Sequence, residues 1–238
     1  CVVAGYREGK EPGTVGALML ALYDPAGELR VVGHTSGLKA AQKRELVATL
    51  APLETGARGA AEPTRWASGA PDDRSWVALR PERVVNCFNY EEFTAIAGLD
   101  GWKRVVGMNR VVWEGWRPAI FSRYLPLIPT LASMPDVGNT DEGTFAAEKV
   151  IGLRPDLVMM PAWTWTAAET ARNQIAAAGI PILVFDYNAQ TLERHLSSTR
   201  AIGAAMGETD RAEVLAQRYQ RNIEDILNRS AQAGGPKP

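Results

Sequence analysis

Leu79-Arg80-Pro81-Glu82-Arg83-Val84-Val85 is where two rhythms of sequence meet, and its reading decides the fold. Upstream, residues 15–23 form an unbroken apolar run, Asp24-Pro25-Ala26-Gly27 has the residues of a type I turn, and residues 29–33 return as a second strand, which predicts a β-hairpin. Leu46 and Leu50 sit one helical turn apart within 39–50 and Pro52 stops the pattern, so a short amphipathic helix follows. Residues 54–73, rich in Gly, Ala and Pro, are expected as a loop. Strand character resumes at 76–79 and 84–88, on either side of Arg80-Pro81.

Downstream the rhythm becomes strand, helix, strand, helix. Asn89 with Glu92 at the third helical position forms the pattern of a capping box, Phe93, Ile96 and Ala97 share a face, and Gly98 marks an end. A strand is predicted at 105–108, a helix at 145–151 ended by Gly152, and a buried strand at 157–160. Thr166-Ala167-Ala168-Glu169 is a second capping-box pattern opening a helix that closes at Gly179, and 182–185 is another buried strand. Short apolar strands alternating with capped helices predict a parallel sheet covered on both faces. The last section is helical: Leu192, Leu196 and Ile202 line one face up to Gly207, and a longer helix from about Asp210 carries Leu215, Tyr219, Ile223 and Leu227 at steps of four. Residues 231–238 are expected as a frayed tail.

At 238 residues the chain has room for two cores, and 46% hydrophobic with 22% charged residues excludes a disordered or membrane-embedded chain. A net charge of -1 exerts no overall pull on nucleic acid, so DNA affinity would need a local basic face. Cys1 and Cys87 are the only cysteines and His34 and His195 the only histidines, too few for a structural zinc site or a disulfide framework. The apolar stretches at 15–23 and 157–163 fall short of a bilayer span, so no transmembrane segment is expected. Cys1 follows no methionine and no charged-then-apolar leader; it reads as a fragment boundary rather than the first residue of a processed lipoprotein, with no signal peptide in the chain.

About residues 1–88 resemble the OB-fold domain in the C-terminal part of ATP-dependent DNA ligases. The resemblance is carried by Cys1-Val2-Val3-Ala4-Gly5-Tyr6-Arg7, Gly16-Ala17-Leu18-Met19-Leu20-Ala21-Leu22-Tyr23-Asp24, Leu29-Arg30-Val31-Val32-Gly33-His34-Thr35-Ser36-Gly37, and Arg65-Trp66 followed by Trp76-Val77-Ala78-Leu79-Arg80-Pro81-Glu82. It implies an OB-like β-barrel portion that contacts duplex DNA in the cytoplasm, with Arg7, Lys10, Arg30, His34, Lys39, Lys43 and Arg44 as phosphate contacts. The ligase's nucleophilic lysine stands in a Lys-x-Asp-Gly motif; the only Asp-Gly here, Asp100-Gly101, is preceded by Gly98 and Leu99, and the closing basic motif does not follow Val85. No ligase activity is expected.

About residues 81–230 resemble the N-terminal lobe and connecting helix of the helical-backbone periplasmic solute-binding proteins that serve ABC importers of ferric siderophores, haem or cobalamin. Pro81-Glu82-Arg83-Val84-Val85-Asn86, Ala97-Gly98-Leu99 with Val105-Val106-Gly107, and Val137-Gly138 leading to Glu148-Lys149-Val150-Ile151 carry it. Leu153-Arg154-Pro155-Asp156-Leu157-Val158, Ala178-Gly179-Ile180-Pro181-Ile182-Leu183-Val184-Phe185-Asp186 and Ile202-Gly203-Ala204-Ala205-Met206-Gly207 continue it. The resemblance implies a periplasmic or extracellular, non-enzymatic binding module with an ABC permease as partner, a ferric chelate or corrinoid as ligand, and a second lobe that does not follow.

The combined expectation is α/β overall: an OB-like domain at 1–83, a parallel-sheet solute-binding lobe at 84–189, connecting helices ending in a long C-terminal helix at 190–230, and the tail. In a parallel lobe, ligands approach the carboxyl ends of strands. That rule selects Asn86, Phe88, Asn89 and Tyr90, then Trp163 and Trp165, then Tyr187. Asn139 and Thr140 join them at a position resembling the family's ligand-contacting loop, and Trp113, Trp116 and Arg117 offer an aromatic wall and a cation for an anionic chelate. Neither a catalytic set nor a cluster for a bare metal is apparent, and no cofactor is expected. Two alternatives stand beside this reading: a DNA-binding accessory piece of a ligase, and a recombined chimera without evolved activity, joined inside a peptide common to both patterns.

Overall fold

The computed structural model describes residues 2–23, 29–35, 37–59 and 76–232. The apolar run becomes β2 (Val15–Tyr23), flanked by β1 (Val2–Glu8) and β3 (Leu29–Thr35). Val15, Ala17, Met19 and Ala21 are buried, the period of two that turns one face of a strand inward. Leu46, Val47 and Leu50 of α1 (Ala40–Leu50) pack with Tyr6 and Val15. The expected loop beyond α1 is in part a strand: β4 (Glu54–Gly59) pairs antiparallel with β5 (Trp76–Leu79), and β5 pairs with β1. Residues 60–75 of that loop and the predicted turn at 24–27 lie outside the described residues.

The resulting antiparallel sheet has the order β3-β2-β1-β5-β4. Its two outer strands, β3 and β4, make no pairing with each other among the described residues, so the expected barrel is not shown; what is shown is a five-stranded open sheet. Tyr6 spans β5 by donating its hydroxyl to Glu54 Oε1 at 2.6 Å, and burial together with that carboxylate pushes the Tyr6 pKa up to about 12.

The strand after the junction, β6 (Val84–Asn86), leaves this sheet and enters a second one. It is followed by α2 (Tyr90–Gly101), β7 (Val105–Met108), α3 (Arg110–Glu114), α4 (Pro118–Tyr124), α5 (Ala147–Gly152), β8 (Leu157–Pro161), α6 (Ala162–Ala167), α7 (Glu169–Ala177), β9 (Ile182–Phe185), α8 (Leu192–Met206) and α9 (Thr209–Gln232). The four strands are parallel in the order β7-β6-β8-β9. Every residue of β6 and β8 is buried because helices cover both faces. Val84, Leu157, Met159, Leu183 and Phe185 point into one core, and Val85, Val158 and Met160 into the other.

The caps depart from expectation. Asn89 adopts a left-handed conformation (φ 55°), which asparagine tolerates, and its side chain caps nothing, so the predicted box with Glu92 does not form. α2 also passes beyond Gly98, bending there, and ends at Gly101. Thr166 lies inside α6, donating its hydroxyl to the Ala162 carbonyl at 3.0 Å, and Ala168 stands at the N-cap of α7. α8 ends at Gly207 as predicted, and Thr191 caps its start by accepting from Arg194 N. Of the predicted tail, residues 231–232 continue α9 and 233–238 lie outside the described residues.

Hydrogen bonds lock the crossing between the sheets. Arg80 N donates to Leu53 O at 2.9 Å on the first side. On the second, Asp156 Oδ2 accepts from Glu82 N at 3.1 Å and Arg83 N at 2.9 Å, while the Arg83 guanidinium donates to the Leu153 and Arg154 carbonyls. The half-buried Arg104 guanidinium donates to Pro81 O and Met206 O. Burial and the neighbouring Arg80 charge lower its pKa to about 10, which leaves it cationic at neutral pH. The join is thus held by charge-assisted bonds to backbone.

Candidate ligand-binding site

The chain runs from β6 out to β7 on one side and then returns to β8 on the other. Such a reversal opens a crevice at the carboxyl ends of the two strands where the order switches, here β6 and β8. Phe88 follows β6 and Trp163 follows β8, and their rings meet edge to face at 5.4 Å. Trp116 approaches Phe88 from the segment after α3, at 6.5 Å and also edge-on, and leaves 46% of its own surface exposed. The Arg117 guanidinium lies 6.0 Å from the Phe88 ring centroid. Three aromatic side chains and one cation therefore converge over the switch point.

Glu91, which sequence reasoning missed, organises this group. Its Oε1 accepts from Arg117 Nη1 at 3.0 Å and from Trp113 Nε1 at 3.2 Å. The Arg117 charge is held beside the aromatic rings and kept part-exposed. Adjacent acidic residues at the start of a helix resemble solvation, so nothing in Glu91-Glu92 distinguished the one that anchors a cation. Asn109 was also missed, although it follows β7 and the rule of strand ends would have found it; it is buried and its Oδ1 has no hydrogen-bond partner.

The other selected residues divide among different places. Tyr90 and Trp113 are fully buried and pack in the core. Tyr90 donates its hydroxyl to Asn109 O at 2.8 Å, and Trp113 stacks on Trp102. Burial raises the Tyr90 pKa well above the ordinary phenol value and pushes the Cys87 thiol to about 12, so both stay protonated at neutral pH. Trp165 sits on the opposite face of the sheet under the Arg172 guanidinium, 4.5 Å from its ring centroid. Tyr187 faces α8, its hydroxyl 3.1 Å from Thr199 Oγ1. Asn89 is buried in the turn into α2.

Asn86, Asn139 and Thr140 add a polar element. Val137 N donates to Met108 O, bringing this chain alongside β7, and the next residues form a turn around Asn139. Asn86 Nδ2, Asn139 Nδ2, Thr140 Oγ1 and Trp163 Nε1 are buried without a hydrogen-bond partner among the described residues. Each unmade bond costs about 1–3 kcal/mol, and such groups are the ones an acceptor-bearing ligand or ordered water satisfies. Thr140 also lines a concavity of about 270 Å³ beside Phe145, Ala168 and Glu169. Of the proposed phosphate contacts in the first part of the chain, Lys10, Arg30, His34, Lys39 and Arg44 are exposed and Lys43 is half-buried. Arg7 is 7% exposed, so its side chain is not presented to a DNA surface.

A parallel α/β lobe backed by α8 and the long α9 is the build of a solute-binding lobe. The chain belongs to the periplasmic binding protein family, whose model matches residues 87–238. Members of that family bind solutes rather than transform them. Among solved structures, the chain is similar to FepB, a TroA-like periplasmic binding protein of Veillonella parvula, with 32% identity and a TM-score of 0.62 over 67% of this chain and 47% of that one. It is 32% identical over 83 residues to the ABC transporter substrate-binding lipoprotein YvrC of Bacillus subtilis, spanning 35% of this chain and 26% of the relative. It is 39% identical over 102 residues to DNA ligase C of Mycobacterium tuberculosis, spanning 36% of this chain and 28% of the ligase. The chain thus covers about half the length of the solved protein and about a quarter of each curated relative. Among the described residues, no helix is long and apolar enough to cross a membrane.

Proposed function

We propose that residues 84–189, with the connecting helices of 190–230, capture a bulky chelate of the ferric siderophore, haem or corrinoid class for an ABC permease. The observation that carries this reading is the convergence of Phe88, Trp116, Trp163 and Arg117 at the β6/β8 switch point. Aromatic faces supply area, the guanidinium supplies charge, and the buried donors of Asn86, Asn139 and Trp163 supply directed bonds. Among the described residues no cluster of His, Cys, Asp or Glu is placed to hold a bare metal ion, so the reading is of a cargo that brings its own ligand set. The similarity to an ABC transporter substrate-binding lipoprotein supports delivery to a permease.

Titration with ferric hydroxamate, ferric catecholate, haem and cobalamin, followed by tryptophan fluorescence, tests the reading. One of the four is expected to quench Trp116 and Trp163, with affinity falling more than ~tenfold in the Phe88→Ala, Trp163→Ala double variant. Unchanged fluorescence across the whole panel at high micromolar ligand would overturn it.

A second reading concerns residues 1–83 and rests on the identity shared with the ligase. In it, these residues are an OB-like module whose exposed Lys10, Arg30, His34, Lys39 and Arg44 touch duplex phosphates, with Lys43 at their edge. Gel mobility with nicked duplex is expected to show association at low salt that disappears as salt rises, without self-adenylation by ATP. Free DNA at every salt concentration would sink this reading and leave the chelate reading untouched.

A further inference from the structure

Helices α2, α8 and α9 line an open cavity of about 240 Å³ that none of Phe88, Trp116, Arg117 or Trp163 lines. Its apolar wall is Ile96, Leu215 and a run of rings: Tyr187 meets His195 edge-on at 4.8 Å, and His195 stacks on Tyr219 at 3.6 Å with 10° between planes. The Tyr187 hydroxyl is occupied by Thr199, so the rings offer faces rather than free donors. Burial lowers the His195 pKa, which keeps the imidazole neutral at pH 7.

Charge enters from two sides. Glu92, in the first turn of α2, brings a carboxylate, and Arg218 and Asn222, one turn apart on α9, bring a guanidinium and an amide. Among the described residues, the side chains of Glu92, Arg218 and Asn222 make no hydrogen bond or ion pair. Opposite charges that line one cavity yet do not pair with each other leave room for a ligand between them. At about 240 Å³ it lies below the roughly 300–1,000 Å³ of drug-sized pockets, a size that matches a small ligand.

We infer that this cavity is a second binding site, for a small zwitterion with an apolar body, an α-amino acid or the like: its ammonium toward Glu92, its carboxylate toward Arg218 and Asn222, and its side chain against Ile96, Leu215 and the Tyr187–His195–Tyr219 rings. The inference is independent of the chelate reading, and its test does not use tryptophan fluorescence.

Calorimetric titration of the whole chain with L-phenylalanine and L-leucine is expected to give saturable binding in the ~millimolar range. Phenethylamine and 3-phenylpropionate, each lacking one charge, should bind about tenfold more weakly, and N-acetylphenylalanine methylamide more weakly still. Arg218→Gln is expected to remove the preference for phenylalanine over phenethylamine, and Glu92→Gln the preference over 3-phenylpropionate. Both positions are on the rim, and matching circular dichroism spectra verify that the variants fold. No heat with either amino acid at ~10 mM, or preferences unchanged in both variants, would overturn the assignment.

Discussion

Replacing Trp113 with alanine is expected to lower the unfolding free energy by about 3–5 kcal/mol, the range for emptying a buried large aromatic position. Trp113 has no exposed surface and lies against Trp102 at 5.4 Å, Tyr90 at 5.0 Å and Tyr124 at 4.6 Å. Its indole nitrogen also donates to Glu91, so truncation removes a partner from the carboxylate that anchors Arg117. Urea denaturation followed by far-ultraviolet circular dichroism measures the loss. Trp116→Ala is the counterpart: with 46% of its surface exposed, it is expected to change stability by less than about 1 kcal/mol while weakening chelate capture. Equal effects of the two substitutions on stability would contradict the division between core and mouth.

Those two tryptophans show why the site was only partly legible. They are three residues apart in a segment with no clear period, and both suit a core or a binding wall. The short helix α3 ends at Glu114, so Trp113 turns inward on its last turn and Trp116 lies beyond it. The inward side of Trp113 is met by Tyr90, Trp102 and Tyr124, all of which lie outside α3. Phe88 and Trp163 could be placed at strand ends because that rule needs only the strands, and Val84-Val85 and the apolar run 157–160 mark two strands buried on both faces. The first sheet divides in the same way. Its hairpin was readable from local sequence, whereas Glu54–Gly59, with Gly56 and Gly59, has the composition of a loop and is held as a strand by β5. Sheet closure is a matter of long-range pairing that local pattern does not encode. Asn89 misled for a different reason: its side chain suits an N-cap, but asparagine also tolerates the left-handed backbone that it adopts here.

Gly138→Ala is expected to destabilise the lobe by about 3 kcal/mol or more and to disrupt the turn that presents Asn139 and Thr140. Gly138 has φ +84°, and a Cβ built there would stand 2.0 Å from Thr144 O and 2.8 Å from Phe145 N, both backbone atoms that no side-chain rotation can move aside. The clash falls on a turn whose bonds are interdependent. Asp136 Oδ1 accepts from Gly138 N at 3.0 Å, Asn139 N donates to Thr144 Oγ1 at 2.9 Å, and Thr144 N returns to Asn139 O at 2.9 Å. Gly143→Ala provides the internal control: φ is +66°, yet no atom lies within 4 Å of its Cβ position, so only the left-handed backbone penalty of about 1 kcal/mol applies. The difference between the two variants in urea unfolding isolates the steric part. If Gly138→Ala and Gly143→Ala unfold alike, the close approach of Thr144 to Gly138 does not hold the turn. If they differ as expected, the Gly138 variant should also lose affinity for the chelate when assayed below its unfolding transition, because the orphan donors of Asn139 and Thr140 are positioned by the bonds that the added methyl group displaces.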